Sequence, residues 1–438
     1  MNHYSSALYH QGRFWRLALV NILANLMVPL ASLVDVAFLG HLAEIRYLAG
    51  VAIATVLFNY IYWTFGFLRM GTTGITAQAS GRGETETVIL TLLRNSAIAL
   101  VIGVLILLWQ QPLREIGFKL LQAEPEVLQA GKAYYNALIW GAPATLLNFV
   151  LLGWFLGREQ GKQVLLLSVT NKGANILLDY LLIVRWEQSS AGAGAATAIS
   201  QLITLILGLI LVASELRTKP WAVDLSKVFE LSALKAIFAL NQEILIRTLA
   251  LVSTFALFTN LSATMGTDIL AGNTLLLQVV TLAAYFIDGM AFATESIAGN
   301  IQGQGAKEQL LPLLKLAGGV SLLAGLGFAT VFVLFPQPLF SLLTSHSVVI
   351  DLINQYVWWL FPVLGFGSLA YMLDGYFLGL TAGKILRQST LLATMFGFAP
   401  MAIAAWHWQV NHLLWLALAL FMTTRSVTLG HKSLQGDF

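Results

Sequence analysis

The chain has 438 residues, 58% of them hydrophobic, and only 24 Lys or Arg and 21 Asp or Glu supply charge. A soluble domain carries about 25% charged residues; this chain carries 10% with a mean hydropathy of +0.77, which excludes a soluble enzyme, a disordered scaffold and a nucleic-acid-binding domain. The net charge of +3 and the absence of cysteine leave no basic binding face, no disulfide framework and no thiolate metal site.

A membrane-spanning helix needs about 20 apolar residues. Apolar runs bounded by charges and turn residues predict twelve, at 16–39, 48–77, 95–110, 133–156, 163–184, 192–214, 240–263, 269–298, 316–335, 353–378, 388–406 and 413–429. The polar to amphipathic first sixteen residues run into the first span with no small-residue cleavage site behind it, so the start reads as a retained helix rather than a signal peptide. Every connection reads as short except 215–239, which holds Arg217, Lys219, Lys227 and Lys235. That stretch is the expected cytoplasmic linker between an N-terminal six-helix lobe (1–214) and a C-terminal one (240–438). Trp15, Trp109, Trp186, Trp221, Trp406 and Trp408 fall at span ends, as interfacial anchors do.

Orientation follows from basic residues in the connecting segments. With the N-terminus inside, the inner segments carry Arg13, Arg16, Arg82, Arg94, Arg158, Lys162, Arg217, Lys219, Lys227, Lys235, Lys307, Lys315, Lys384, Arg387 and Lys432. The outer segments carry only Arg46, Arg114, Lys119, Lys132 and Arg185. Fifteen against five places both termini in the cytoplasm.

The sequence also repeats. Leu48-Ala49-Gly50 recurs as Leu270-Ala271-Gly272, a shift of 222, and the same shift carries Gly153, Gly157 and Gly161 onto Gly375, Gly379 and Gly383. Six helices per repeat is an even number, so the two lobes keep one orientation. The expected fold is an all-α polytopic membrane protein with two six-helix lobes about a pseudo-twofold axis along the membrane normal, and a substrate path between them. The four-spaced glycine rows predict close helix packing.

A charged side chain in hydrocarbon costs at least about 2.5 kcal/mol, so acids inside the spans need a reason. On the first span Asn25, Ser32 and Asp35 share a face, and Pro29 removes a backbone donor and favours a bend. On the fifth, Asn171, Asn175 and Asp179 form a stripe at four-residue spacing. Tyr134 or Tyr135 on the fourth span and Thr197 on the sixth fall at the same depth. Four helices thus bring polar groups to one level of one lobe, a site suited to proton or cation coupling, with plain packing as the other reading. In the second lobe Asp288 and Glu295 are seven apart on one face, Asp374 lies equally deep, and Arg69 is a basic candidate partner for one of them. Glu243 and Arg247, four apart, are expected to pair with each other.

No Gly-x-x-x-x-Gly-Lys-[Ser/Thr] loop is present, since Leu156 stands where the first glycine before Gly161-Lys162 would be, and no His-Glu-x-x-His motif occurs. Neither an intrinsic ATPase nor a metal cofactor is expected, and no ATPase subunit or nucleic acid is implied as a partner.

The run Val34-Asp35-Val36-Ala37-Phe38-Leu39-Gly40-His41-Leu42 resembles the opening of the multidrug and toxic compound extrusion (MATE) family. Leu240-Asn241-Gln242-Glu243-Ile244-Leu245-Ile246-Arg247, Asp288-Gly289-Met290-Ala291-Phe292-Ala293-Thr294-Glu295 and Asp374-Gly375-Tyr376-Phe377-Leu378-Gly379 are similar to its DinF-like branch. The resemblance implies export driven by an inward proton or sodium gradient and a coupling site in the N-terminal lobe, here at Asp35, Asn175, Asp179, Thr197 and Tyr134. Asn25, Pro29, Arg69, Asp288, Glu295 and Asp374 are the further candidates for substrate binding or gating. The expectation is an antiporter for amphipathic organic compounds, working as a monomer in the plasma (inner) membrane with H+ or Na+ as coupling ion. The alternative within the wider superfamily is a flippase for lipid-linked precursors, for which Arg69, Lys172, Arg247 and Arg425 are the basic residues within spans.

Overall fold

The computed structural model describes residues 2–40, 42, 44, 46–121, 123–218, 224–344 and 346–436, and the side chains among them from Gln11 onward except Thr218. His41 of the first motif, Lys219 of the linker and Trp221 lie outside the described residues. Twelve long helices carry the fold. In the first half these are α1 (Asn2–Gly40), α2 (Arg46–Gly81), α3 (Thr85–Leu108), α4 (Pro125–Gly157), α5 (Gly161–Asp179, passing into a π turn at Tyr180–Arg185) and α6 (Ser189–Thr218). In the second they are α7 (Leu231–Thr264), α8 (Thr267–Gln304), α9 (Lys307–Leu334), α10 (Ser347–Gly379), α11 (Gly383–Trp408) and α12 (Asn411–Gln435).

Eleven of the twelve are long and apolar enough to cross a membrane. The exception is α5, whose Asn171, Lys172, Asn175 and Asp179 dilute its apolar character.

Two connections have structure of their own. The segment between the third and fourth spans is no short loop: it contains a separate helix, Gln110–Leu120, which starts directly after Trp109. The linker is fastened rather than loose. A 3-10 turn at Leu225–Phe229 is gripped by Arg94 of α3, which donates to the carbonyls of Lys227 (2.7 Å) and Val228 (3.2 Å). Lys227 Nζ in turn meets Glu86 at 3.0 Å. The buried guanidinium of Arg94 is satisfied by backbone carbonyls, as a buried donor must be.

The repeat holds residue by residue. Three left-handed positions between helices recur at the 222 shift: Gly83 (φ 71) and Gly305 (φ 73), Glu159 (φ 59) and Thr381 (φ 55), Glu187 (φ 53) and Gln409 (φ 55). The tight helix contacts recur as well. A Cβ on Gly153 or Gly157 of α4 would strike the carbonyls of Arg69 and Thr73 on α2, and one on Gly375 or Gly379 of α10 would strike those of Ala291 and Glu295 on α8. Arg69 and Ala291, and likewise Thr73 and Glu295, are 222 apart. In each repeat the fourth helix is the core element, with 12 of the 16 residues of Ala142–Gly157 and 15 of the 20 residues of Leu360–Gly379 buried.

The chain packs as two compact units, residues 23–237 and residues 1–22 with 238–438. The first division falls inside α1, so the first 22 residues do not belong with the expected lobe 1–214. The cause is visible at Gly289 of α8, where the missing side chain admits the backbone of Ile22. The second division, after Ile237, falls within the α7 helix.

Candidate functional site

The site of the 23–237 unit is assembled from five helices. On α5, positions 171, 175 and 179 share a face and lie against α6: Asn171 Nδ2 donates to Thr204 Oγ1 at 3.1 Å and Asn175 Nδ2 to Thr197 Oγ1 at 3.4 Å. Close approach of α6 to α4 depends on Gly194, where a Cβ would meet the Tyr134 carbonyl. This brings the Tyr134 hydroxyl beside Thr197 and Thr55 of α2, and within electrostatic reach of Asp35 and Asp179. Asp35 of α1 and Asp179 of α5 interact directly through their side chains.

Asp179 is 1% exposed, and neither of its carboxyl oxygens has a hydrogen-bond donor among the described residues. It is also the last α-helical residue before the π turn at Tyr180–Arg185, an irregularity that often accompanies functional sites. Among the described residues neither Asp35 nor Asp179 forms an ion pair. Lys172, one turn before Asn175 on α5, stands within electrostatic reach of both. Asp35, Tyr134, Asn175, Asp179 and Thr197 are therefore brought together in one unit.

Thr55 and Lys172 belong to the same cluster, and sequence reasoning did not include them. Lys172 carried a signal, being seven residues before Asp179 and on its face. Thr55 had none, since a threonine on an apolar helix is ordinary. Farther along α1 from this cluster, Asn25 and Pro29 are half-buried. Pro29 sits inside the helix and has no N–H to offer the carbonyl four residues back, that of Asn25. Arg69, on α2, is half-buried, and its carbonyl accepts from Thr73 Oγ1 at 2.8 Å.

The acids of the other unit are arranged differently. Asp374 of α10 is held by two arginines: its Oδ2 accepts from Arg247 of α7 and from Arg425 of α12. All three side chains are buried. Arg425 further lies over the rings of Tyr371 (5.7 Å) and Phe421 (5.5 Å), and Asp288 of α8 stands within electrostatic reach of Arg425 and Tyr371. Two guanidinium groups and two carboxylates thus share one apolar interior. Glu295 is fully buried on α8, where its carbonyl lies against Gly379.

The expected pairing of Glu243 with Arg247 does not form. Glu243 Oε2 meets Arg387 at 3.0 Å and Arg247 turns to Asp374. Pairs four apart on a helix gain only about 0.2–0.5 kcal/mol, so a buried partner on another helix prevails.

Comparison with known proteins agrees with this architecture. The MatE family model matches residues 21–181 and 244–403, one match in each repeat. The DNA damage-inducible protein F of Escherichia coli K12 is 35% identical over 417 residues, covering 95% of this chain and 90% of that protein. A protein of Thermotoga maritima described as a probable multidrug resistance protein NorM is 24% identical, covering 77% and 73%. The outward-facing structure of a multidrug resistance MATE family transporter of the MOP superfamily superposes with a TM-score of 0.87 at 20% identity, covering 98% of this chain and 95% of that one. With matches over both repeats and a relative aligned across nearly its whole length, this chain belongs to the MatE family: it is an integral membrane protein and a transporter, not an enzyme.

Proposed function

We propose that the protein is a cation-coupled antiporter that exports amphipathic organic compounds by alternating access, with the proton as coupling ion and sodium as the second candidate. The observation that carries this reading is the Asp35–Asp179 pair. Two adjacent carboxyl groups in a low-dielectric interior, in no ion pair among the described residues and with one lysine, Lys172, within electrostatic reach of both, cannot both carry charge without a further compensating cation. Arrival or loss of that cation changes the cost of burying the pair, which can bias a two-state transporter.

Tyr134, Asn175 and Thr197 line the site with hydroxyl and amide groups that can serve the arriving cation. In this reading Pro29 gives α1 a place to bend between Asn25 and Asp35, so that the charge state of Asp35 is passed along the helix. Arg69, Asp288 and Glu295 are substrate-binding or gating positions, and Asp374 is committed to its two arginines. The protein works as a monomer in the inner membrane with both termini in the cytoplasm, the side favoured by fifteen basic residues against five. The relatives named for multidrug resistance support the substrate class.

The flippase alternative requires a cationic cavity for a pyrophosphate. Arg247 and Arg425 are bound to Asp374, which leaves no arginine cluster to favour it. The test is ethidium export from proteoliposomes under imposed pH or sodium gradients. The wild-type chain is expected to export when protons flow inward, and Asp35→Asn to lose that drive; equal rates in the two proteins would refute the mechanism.

A further inference from the structure

The helix Gln110–Leu120 is used by no step above. One of its faces is clamped to the helices that carry the site. Gly117 admits the side chain of Leu57 on α2, and a Cβ on Gly131 of α4 would meet the ring of Phe118. Phe118 and Tyr135 pack edge to face at 6.2 Å, Tyr135 donates its hydroxyl to the Gln110 carbonyl at 3.0 Å, and Arg114 donates to Asn136 Oδ1 at 2.9 Å. From Tyr135 the rings continue inward. Phe58 of α2 lies 5.1 Å from Tyr135 and 6.1 Å from Tyr134, and Phe58 stands one turn beyond Thr55, the neighbour of the Tyr134 hydroxyl.

The opposite face of the helix is apolar and uncovered. Pro112, Ile116 and Leu120 recur every four residues, Ile116 at 61% and Leu120 at 79% exposure. This stripe begins where α3 ends, and it continues that helix's own exposed row of Val101, Val104, Leu105 and Leu108. Since α3 crosses the bilayer, lipid that covers its row at Leu108 meets the short helix next. Lys119 beside the stripe can extend its ammonium to the headgroups while its stem lies along the apolar surface. An amphipathic helix of this kind lies in the interface plane.

We propose that Gln110–Leu120 is seated in the headgroup boundary of the bilayer and braces Tyr134 through the ring chain Phe118–Tyr135–Phe58. Lipid is the partner, and Phe118 is a positioning residue that acts on Tyr134 without touching the coupling ion. The brace rests on the reading of Tyr134 as part of the coupling site; the lipid seat does not.

The chain has no cysteine, so one introduced cysteine carries the only spin label on the full-length protein in phosphatidylethanolamine–phosphatidylglycerol vesicles. The label of Ile116→Cys is expected to collide with oxygen dissolved in the lipid, and that of Lys119→Cys with a water-soluble nickel chelate. Both labels reporting water would overturn the seat. For the brace, Phe118→Ala is compared with wild type in ethidium export driven by a pH gradient and in downhill ethidium exchange without one. Fewer folded molecules would lower both rates alike. Loss of the brace lowers the driven rate alone, by about fivefold or more, and Phe118→Leu recovers it. An unchanged ratio of the two rates in Phe118→Ala, with Asp35→Asn still losing the driven rate, removes the brace and leaves the coupling site standing. If Asp35→Asn keeps its drive, the coupling reading itself fails and takes the brace with it.

Discussion

The two units share the glycine contacts of their fourth helices and three left-handed turns at the 222 shift, yet they treat buried acids in opposite ways. In the 23–237 unit, Asp35 and Asp179 lie side by side with no ion pair among the described residues. In the other, Asp374 is gripped by Arg247 and Arg425. The 222 shift sends Asp35 to Leu257 and Asp179 to Met401, and it takes Arg425 back to Ile203. The repeat therefore preserves what sets helix-to-helix distance and not what carries charge. One unit holds two adjacent carboxyls outside any ion pair of the described residues; the other has a charge cluster that ties α7, α10 and α12 together.

The sharpest way to break this contrast is to remove one charge from each unit. Leaving a buried ion partner uncompensated costs about 3–5 kcal/mol, so Asp374→Asn, which strips Arg247 and Arg425 of the carboxylate they share, should lower the melting temperature of the purified protein substantially. Asp179→Asn should leave it at or above the wild-type value, since it removes a buried carboxyl that forms no ion pair among the described residues. Equal melting temperatures for Asp374→Asn and wild type would show that the cluster contributes nothing to the fold.

The shared part of the comparison predicts a smaller, symmetrical effect. Alanine at Gly153 or Gly375 drives a methyl into a backbone carbonyl of the neighbouring helix, and overpacking of this kind costs about 1–3 kcal/mol. Thermal unfolding of Gly153→Ala and Gly375→Ala should show similar losses. A large loss in one and none in the other would mean that the repeat is not mechanically equivalent. Smaller again is Asn175→Ala, which removes one hydrogen bond to Thr197 worth about 1 kcal/mol. Its expected signature is a near-normal melting temperature with weakened proton-driven export, the profile of a residue that serves the coupling site rather than the core.

Much of this was legible before any coordinates. Apolar runs gave the spans, because lipid enforces long apolar helices. The glycine rows gave the repeat, because a carbonyl against a Cα leaves room for nothing larger than hydrogen. The Asn171–Asn175–Asp179 stripe gave the site, because one helix face can be read from spacing alone. What escaped depended on partners distant in sequence. Asp374 and its arginines lie 127 and 51 positions apart (374 − 247 and 425 − 374), and no local pattern joins them; the local pattern that existed, Glu243 with Arg247, pointed to the wrong pair. The helix Gln110–Leu120 was hidden by its mixed composition, and the division of α1 at residue 22 by the helix being continuous there.

The smallest predicted effect concerns the linker. Asp224 caps the turn Leu225–Phe229, accepting from the Ser226 hydroxyl at 2.6 Å and the Ser226 amide at 3.0 Å, and these bonds hold its carboxyl below the usual aspartate range. A carboxyl with a depressed native value stabilises its turn fully above the unfolded value of 3.8 and loses that contribution as the pH falls through the lower native one. Amide exchange at Ser226, corrected for the intrinsic pH dependence of the chemistry, should stay slow down to about pH 4 and quicken below it. Asp224→Asn should remove the pH response while leaving the amide partly protected, since an asparagine oxygen can still accept the bond. A wild-type profile that is flat through this range would mean that the cap does not hold the turn, and that the grip of Arg94 on the carbonyls of Lys227 and Val228 keeps the linker in place unaided.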